Sequence, residues 1–398
     1  MAQVAKLKRK CLALIASTLL ASVLALFLLK QYERYLGAHI KINYLCEPRP
    51  VMWIKDETIG YRNKPNQNRK AFGNVVGITN KMGFRSQVDF ARQKKSNTLR
   101  VFGIGDSVMW GTQVNEEESF LGILQDKLKP HHEHLEVINA GVVGYSTYQE
   151  QLFLKEFVVS YEPDIMIVNF CPNDWLPTED PFELFPQIHT EYLNRLLRGG
   201  DYEFSAVEIG IIQDMLSIVR TSTHVWRSFL EYAANPNHGA VRYHTMRRVL
   251  LEIPIHKMKQ LASEHDIRLL FVFIPSSFQQ QSDRAVELDL QDFMQREGVE
   301  YIDMFNDLIG HGTPRIDRPK EQVTPDGKFL QVLLPREWDP EVILFNISEW
   351  NYLSNRHSSS NYIDDIGHPS RRGNRVIAQR IYEYLQSNSA PQFRSERP

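Results

Sequence analysis

Short apolar runs alternate along this chain with longer segments whose apolar residues recur at helical spacing. Leu99-Arg100-Val101-Phe102-Gly103-Ile104 reads as a short buried strand, and Glu117–Leu128 carries the helical period. A strand at Leu135–Ile138 runs into Asn139, a helical segment follows over about Thr147–Val159, and Asp164–Phe170 is a very apolar strand. Strands at Ile267–Pro275 and Val299–Phe305 and a last helix over about Arg371–Gln386 continue the alternation. Such a succession predicts an α/β fold: a mainly parallel sheet between helices, a three-layer α/β/α sandwich.

Four regions fall outside that alternation. Cys11–Leu29 is an uncharged run of 19 residues, long enough to cross a bilayer, behind Lys6, Lys8, Arg9 and Lys10. The basic flank predicts a cytoplasmic tail over residues 1–10, a retained anchor over 11–29 and a chain that continues outside the cytoplasm, in the periplasm if the cell has one. Cleavage as a signal peptide is the competing reading, weakened because apolar residues continue past Val23-Leu24-Ala25. Residues 35–97, with Ile59–Asn66 and Thr79–Arg85 broken by Asn, Gly and Pro, read as a small β-rich segment that braces the next domain near the membrane, with a lip that contacts substrate as the other reading. Residues 175–237 form a helical insertion, with apolar spacing in Val207–Val219 and His224–Ala233; it is a candidate lid or cleft wall. Asn306–Asn361 is long and irregular and carries Trp338, Trp350 and Tyr352, with Tyr362 just beyond.

Composition narrows the function. At a net charge of −2, the chain implies no nucleic-acid partner. Gly103-x-Gly105 lacks the continuation a dinucleotide site needs, and no Cys/His cluster has metal-ligand spacing, so neither cofactor nor metal is expected. His131, His132 and His134 stand in a polar loop after Pro130 and read as a solvated turn. Cys11, Cys46 and Cys171 are dispersed, and no structural disulfide is expected among them.

Four short motifs carry the chemistry: Gly105-Asp106-Ser107, Asn139-Ala140-Gly141-Val142-Val143-Gly144, Pro172-Asn173-Asp174 and Asp365-Ile366-Gly367-His368. Three of them follow predicted strands, and the ends of parallel strands converge on one edge of the sheet. A serine hydroxyl becomes a competent nucleophile beside a neutral imidazole whose tautomer a carboxylate holds. Ser107, His368 and Asp365 supply these groups, with the adjacent Asp364 as the fallback carboxylate. The attack also needs donors for the developing oxyanion, for which the Ser107 and Gly144 N–H groups and the Asn173 amide are the candidates. Asp106 reads as a turn-forming carboxylate that holds backbone N–H groups around Ser107. Asp174 reads as a cap for the segment after it. Trp110 and Trp175 are the candidates to line the cleft.

The order and spacing of these motifs resemble the four blocks of the SGNH hydrolases, also called GDSL esterases and lipases, over roughly Leu99–Ser387. The resemblance implies a flavodoxin-like parallel sheet over residues 98–390 and a serine esterase with Ser107, Asp365 and His368 as triad and Ser107, Gly144 and Asn173 as oxyanion donors. The third block departs from the family pattern, with Cys171 where glycine is usual. Similar anchored proteins of bacteria carry a segment like 35–97 before the hydrolase domain. The expected substrate is an ester, first the O-acetyl or O-acyl group of a cell-envelope glycan, with lipid esters second and acyl transfer to another acceptor third. A silent, glycan-binding role in an envelope assembly is the non-enzymatic alternative.

Overall fold

The computed structural model describes residues 52–71, 75–112, 114–175, 181–182, 184–219, 239–275, 281–310 and 368–387. The apolar run 11–29, the second insertion helix at His224–Ala233, Asp364, Asp365, Cys11, Cys46 and the aromatics of the 306–361 stretch lie outside the described residues. Among the described residues no helix is long and apolar enough to cross a membrane.

Five parallel strands make the central sheet: β5 (Leu99–Ile104), β6 (Leu135–Asn139), β7 (Ile165–Phe170), β8 (Arg268–Phe273) and β9 (Glu300–Asp303), in the order β6-β5-β7-β8-β9. All six side chains of β7 are buried, which a strand requires when both faces of its sheet are covered. Successive residues alternate between two cores. Phe102, Ile104, Met166, Val168, Phe271 and Phe273 face one layer, while Val101, Ile165, Ile167, Leu270 and Val272 face the other. The expected three-layer sandwich is therefore built directly from the period-two pattern of the strands.

On the second face lie α2 (Phe120–Leu128) and α9 (Arg371–Ser387), which meet through Phe120, Leu124, Ile377 and Ile381. On the first lie α3 (Thr147–Phe153), α4 (Phe185–Arg198), α5 (Ala206–Val219), α6 (Ala240–Arg247), α7 (Ile253–Glu264) and α8 (Gln281–Glu297). The predicted start of α2 at Glu117 moves to Phe120. Ser119 takes an extended backbone there and its hydroxyl accepts the Gly122 N–H, so a 3₁₀ turn over Glu116–Glu118 stays separate. α6 and α7 form one long rod joined by a π turn at Arg248–Glu252. Pro254 has no N–H to give the carbonyl one turn back, and the π turn directly before it absorbs that break.

The β-rich segment is two antiparallel hairpins, β1 (Trp53–Asp56) with β2 (Gly60–Asn63) and β3 (Asn68–Ala71) with β4 (Val75–Ile78). The apolar piece Thr79–Arg85 is not a strand of either. It turns through Gly83 at φ +84° and lays Arg85 as a single bridge against Asn139 at the end of β6. In the insertion, α5 matches the helix expected at Val207–Val219, while α4 was not legible as a separate element. Its polar residues dilute the apolar stripe of Phe185, Ile188, Tyr192, Leu193 and Leu196 that it buries.

Candidate active site

The strand order places a topological switch between β5 and β7, where chain connections leave in opposite directions and open a crevice. Gly105-Asp106-Ser107 leaves β5 at this point, and Cys171-Pro172-Asn173-Asp174 leaves β7 beside it. α1 (Ser107–Trp110) begins at the serine, with Asp106 as its cap: Oδ1 accepts the Val108 N–H at 2.9 Å. Gly105 is the residue that fits between the two loops. A Cβ there would stand 1.7 Å from the Asn169 side-chain oxygen.

His368 comes from the other end of the chain. Ser370 caps α9 by accepting the Gly373 N–H at 3.2 Å, and Asn374 returns its amide to the Pro369 and Ser370 carbonyls at 2.9 and 3.0 Å. Asn374 also accepts the Phe120 N–H at 2.9 Å, which ties this segment to α2. The result brings His368 Nε2 to 2.9 Å from Ser107 Oγ across 261 positions of sequence. Ser107 Oγ also lies 3.2 Å from Asp106 Oδ2. A hydroxyl has one proton, and the shorter contact is to the imidazole. His368 is 8% exposed, enough to admit a substrate edge while most of the ring is out of water.

The Asp106 carboxylate does more than hold a turn. Besides Val108 it accepts the Asn169 amide on Oδ1 at 3.1 Å and the Asn173 amide on Oδ2 at 3.1 Å. One of the two Asn173 amide hydrogens is thus taken up and the other is left for a ligand. Asn169 was missed in the sequence, although a polar residue interrupting the apolar run Ile165–Phe170 at its last-but-one position was the signal for it.

Cys171 in the glycine position does not distort the third motif. Its φ is not positive, so a side chain is no burden there. Its N–H donates to Asp174 Oδ2 at 2.7 Å, and the Asp174 N–H returns to the Cys171 carbonyl at 3.0 Å. Asp174 therefore closes the turn behind it, and residues 176–180, where the segment it was expected to cap begins, lie outside the described residues. The Cys171 thiol is free, and burial pushes its pKa well above the usual thiol value.

Trp110 does not line a cleft. At 4% exposure it lies under the Arg85 guanidinium, 5.2 Å from ring to charge, and serves the loop behind the serine. Arg85 donates to the Trp110, Gly111 and Val114 carbonyls, so a buried cation sits at the C-terminal end of α1, where the backbone dipole favours it. Burial lowers its pKa to about 10, which leaves it charged at neutral pH. Trp175 is half-buried against Tyr243, with ring centroids 6.1 Å apart.

Gly144 occupies the +85° φ region open to glycine, within a turn closed by Tyr145 N–H to the Val142 carbonyl at 3.2 Å. Among the described residues no acceptor takes the N–H of Gly144 or of Ser107.

Behind the serine loop lies a second acidic group that sequence did not single out. Glu150 on α3 is fully buried with neither carboxyl oxygen hydrogen-bonded among the described residues, and Asp174 Oδ1 is in the same state. Burial, then the Asp106 charge, raises the Glu150 pKa well above the usual carboxyl value. Burial, then Glu150, then Asp106, does the same for Asp174. The folded protein therefore keeps protons that the unfolded chain gives up near pH 4–5. Stability from this pair is complete below that range and falls as pH rises toward the folded-state values, by about 1.4 kcal/mol per proton for each pH unit. Urea unfolding measured from pH 5 to 8 should show this decline, and Glu150→Gln, which stays neutral throughout, should flatten it. An equal slope in both proteins would remove Glu150 as its source.

The profile of the GDSL-like lipase/acylhydrolase family matches residues 104–376. Among curated proteins none matches the chain. Solved structures similar to it include the acetyl xylan esterase AlAXEase, at 13% identity over 72% of this chain and 100% of that one, with a TM-score of 0.35. Axe2, an acetylxylan esterase from Geobacillus stearothermophilus, is 11% identical over 76% of this chain and 100% of its own, with a TM-score of 0.35. The two-domain esterase CEX, active on acetylated mannans, is 13% identical over 72% of this chain and 49% of its own, with a TM-score of 0.33.

Proposed function

Because this chain belongs to the GDSL-like lipase/acylhydrolase family and is thereby an ester-bond hydrolase, we propose that Ser107 is its nucleophile and that acyl groups pass through a Ser107 ester. The supporting observation is the 2.9 Å contact of Ser107 Oγ with His368 Nε2. The hydroxyl oxygen attacks the ester carbonyl while Nε2 takes its proton. The tetrahedral intermediate collapses, the carbonyl-to-alkoxy bond breaks, and the imidazolium returns the proton to the leaving alcohol. Water then attacks the acyl-serine with the same base. Asp365 is the proposed partner of the imidazolium. The N–H groups of Ser107 and Gly144 and the spare hydrogen of the Asn173 amide receive the oxyanion. A preorganised donor of this kind is worth about 3–4 kcal/mol, so Asn173→Ala should lower kcat by about 10²–10³ with the fold intact. Normal turnover in that variant would exclude Asn173 from the site.

The substrate proposed is an O-acetylated or otherwise O-acylated glycan of the cell envelope. Support comes from the basic flank and apolar run of residues 6–29, which direct the domain to the outer side of the membrane. The full-length chain in detergent, offered chromogenic esters from acetyl to long-chain acyl, tests this. Preference for acetyl supports the glycan, and preference for long chains replaces it with lipid. No turnover together with no labelling by a serine-directed phosphonate rejects the esterase assignment.

A further inference from the structure

The peptide group between Val143 and Gly144 has two working ends. Its N–H is the oxyanion donor proposed above. Its carbonyl, on Val143, accepts the hydroxyl of Tyr61 at 3.0 Å, 82 positions earlier in the chain. We propose that Tyr61, carried by the N-terminal hairpin, is a positioning residue of the oxyanion hole, an inference that rests on the esterase reading of the same site.

The geometry of the turn explains why this peptide needs holding. Val142–Tyr145 is a four-residue turn with Gly144 in its third position at φ +85°, the value that a type II turn requires there. Types I and II differ mainly by a flip of the central peptide, which is here the Val143–Gly144 peptide. The flip leaves the ends of the turn in place, so the strand and the helix on either side offer little resistance to it. It would, however, reverse the direction of the proposed Gly144 N–H donor together with that of the Val143 carbonyl. Glycine permits the type II form without enforcing it, because it adopts negative φ as readily. The Tyr61 hydroxyl supplies the preference, since it meets the carbonyl in one orientation only. A donor on the carbonyl also polarises the peptide and strengthens its N–H as a donor to an anion.

Tyr61 is itself held firmly. It is 1% exposed and wedged edge-on between Trp53 and Tyr145, each 5.3 Å away between ring centroids. The hairpin clamps both ends of the loop: Asn63 donates to the Gly141 carbonyl at 2.9 Å, and the Tyr145 hydroxyl donates back to the Tyr61 carbonyl. Gln149 on α3 donates to the Ile59 carbonyl at 2.9 Å, which fixes the hairpin turn against the helix that follows the loop. The β-rich segment thus reaches the site through the backbone of the oxyanion loop, without a side chain of its own entering the chemistry.

Tyr61→Phe keeps the ring and both edge contacts and deletes one oxygen. In the full-length protein, kcat per phosphonate-titrated Ser107 should fall by about 3- to 30-fold while KM stays within about twofold. An alkyl boronic acid, which adds to the serine and places an oxygen among the oxyanion donors, should lose affinity by the same factor. A merely structural role would lower the titratable fraction and the unfolding midpoint without moving the boronate affinity of the folded sites. Wild-type kcat per titrated site, or a lower kcat with unchanged boronate affinity, overturns the proposal while leaving the esterase in place. A wild type that neither turns over esters nor takes the phosphonate rejects the esterase reading and this role with it.

Discussion

Ser107→Ala should reduce ester turnover by about 10⁴- to 10⁶-fold, and His368→Ala should do nearly the same. The two residues act as one unit. The hydroxyl cannot be deprotonated on attack without the imidazole 2.9 Å away, and without the hydroxyl no acyl-serine forms for the imidazole to direct water against. The double variant should therefore be no slower than either single one, a large departure from additivity that is itself diagnostic. What remains should come from the oxyanion donors and substrate positioning, which neither change touches. Folding should be nearly unaffected by the serine change, because Ser107 is only partly buried and its neighbours retain other partners: Asp106 Oδ2 still accepts from Asn173 at 3.1 Å. Steady-state rates on an acetyl ester, with mass spectrometry of phosphonate-treated protein, check both parts. Residual activity above a few per cent in Ser107→Ala would mean that another group carries the attack.

The second large effect is expected at Asp106, which never touches the substrate in this scheme. Three of its partners are standing donors, the Val108 N–H and Asn169 amide on Oδ1 and the Asn173 amide on Oδ2, while the Ser107 oxygen lies 3.2 Å from Oδ2 with its proton toward His368. Asp106→Asn is the same size and shape but replaces one acceptor oxygen with an NH₂ group. If the remaining oxygen keeps the helix cap at Val108, the NH₂ faces Asn173, donor against donor, and the oxyanion amide is pushed out of place. If it keeps Asn173, the Val108 N–H is left buried without an acceptor. The first arrangement costs catalysis and the second costs stability, with hydrogen bonds to a charged group contributing about 1.5–3 kcal/mol each. The expectation is a 10²- to 10³-fold loss of kcat together with about 1–3 kcal/mol of stability in urea. Adding Asn173→Ala to Asp106→Asn should then cost little more, because both remove the same donor. A kcat within threefold of wild type in Asp106→Asn would show that Asn173 is held by something else.

Both expectations follow from contacts that differ in how far sequence announces them. Ser107 and Asn173 stood out because their motifs follow strands, whose period is written in residue type, and His368 because it stands three residues after Asp365 in the last of the four motifs. Asn169 left a weaker trace, one polar residue in a buried run. Arg85, Tyr61 and Glu150 left almost none. An arginine after Gly-Phe, a tyrosine in a short hairpin and a glutamate in a helical segment carry no motif that marks them for the site. In the fold they are respectively the cation at the end of α1, the donor to the Val143 carbonyl and a buried acid. Trp110 erred the other way, placed in the cleft by its nearness to Ser107 in sequence. On α1 the residue three positions on points inward under Arg85.

Sequence by itself determined the alternation of strands and helices, the α/β class, the family and the residues with chemistry to offer. These depend on hydrophobic period and residue type, which are local properties of a chain. Tertiary structure alone decided which of those residues meet and what holds them. The strand order opened the crevice between β5 and β7, Asn374 brought His368 to Ser107, Asn169 and Asn173 converged on Asp106, and a hairpin far upstream came to rest on the peptide of Gly144. Hydrogen bonds depend on distances of about 3 Å and on direction, and neither is fixed until the layers have packed.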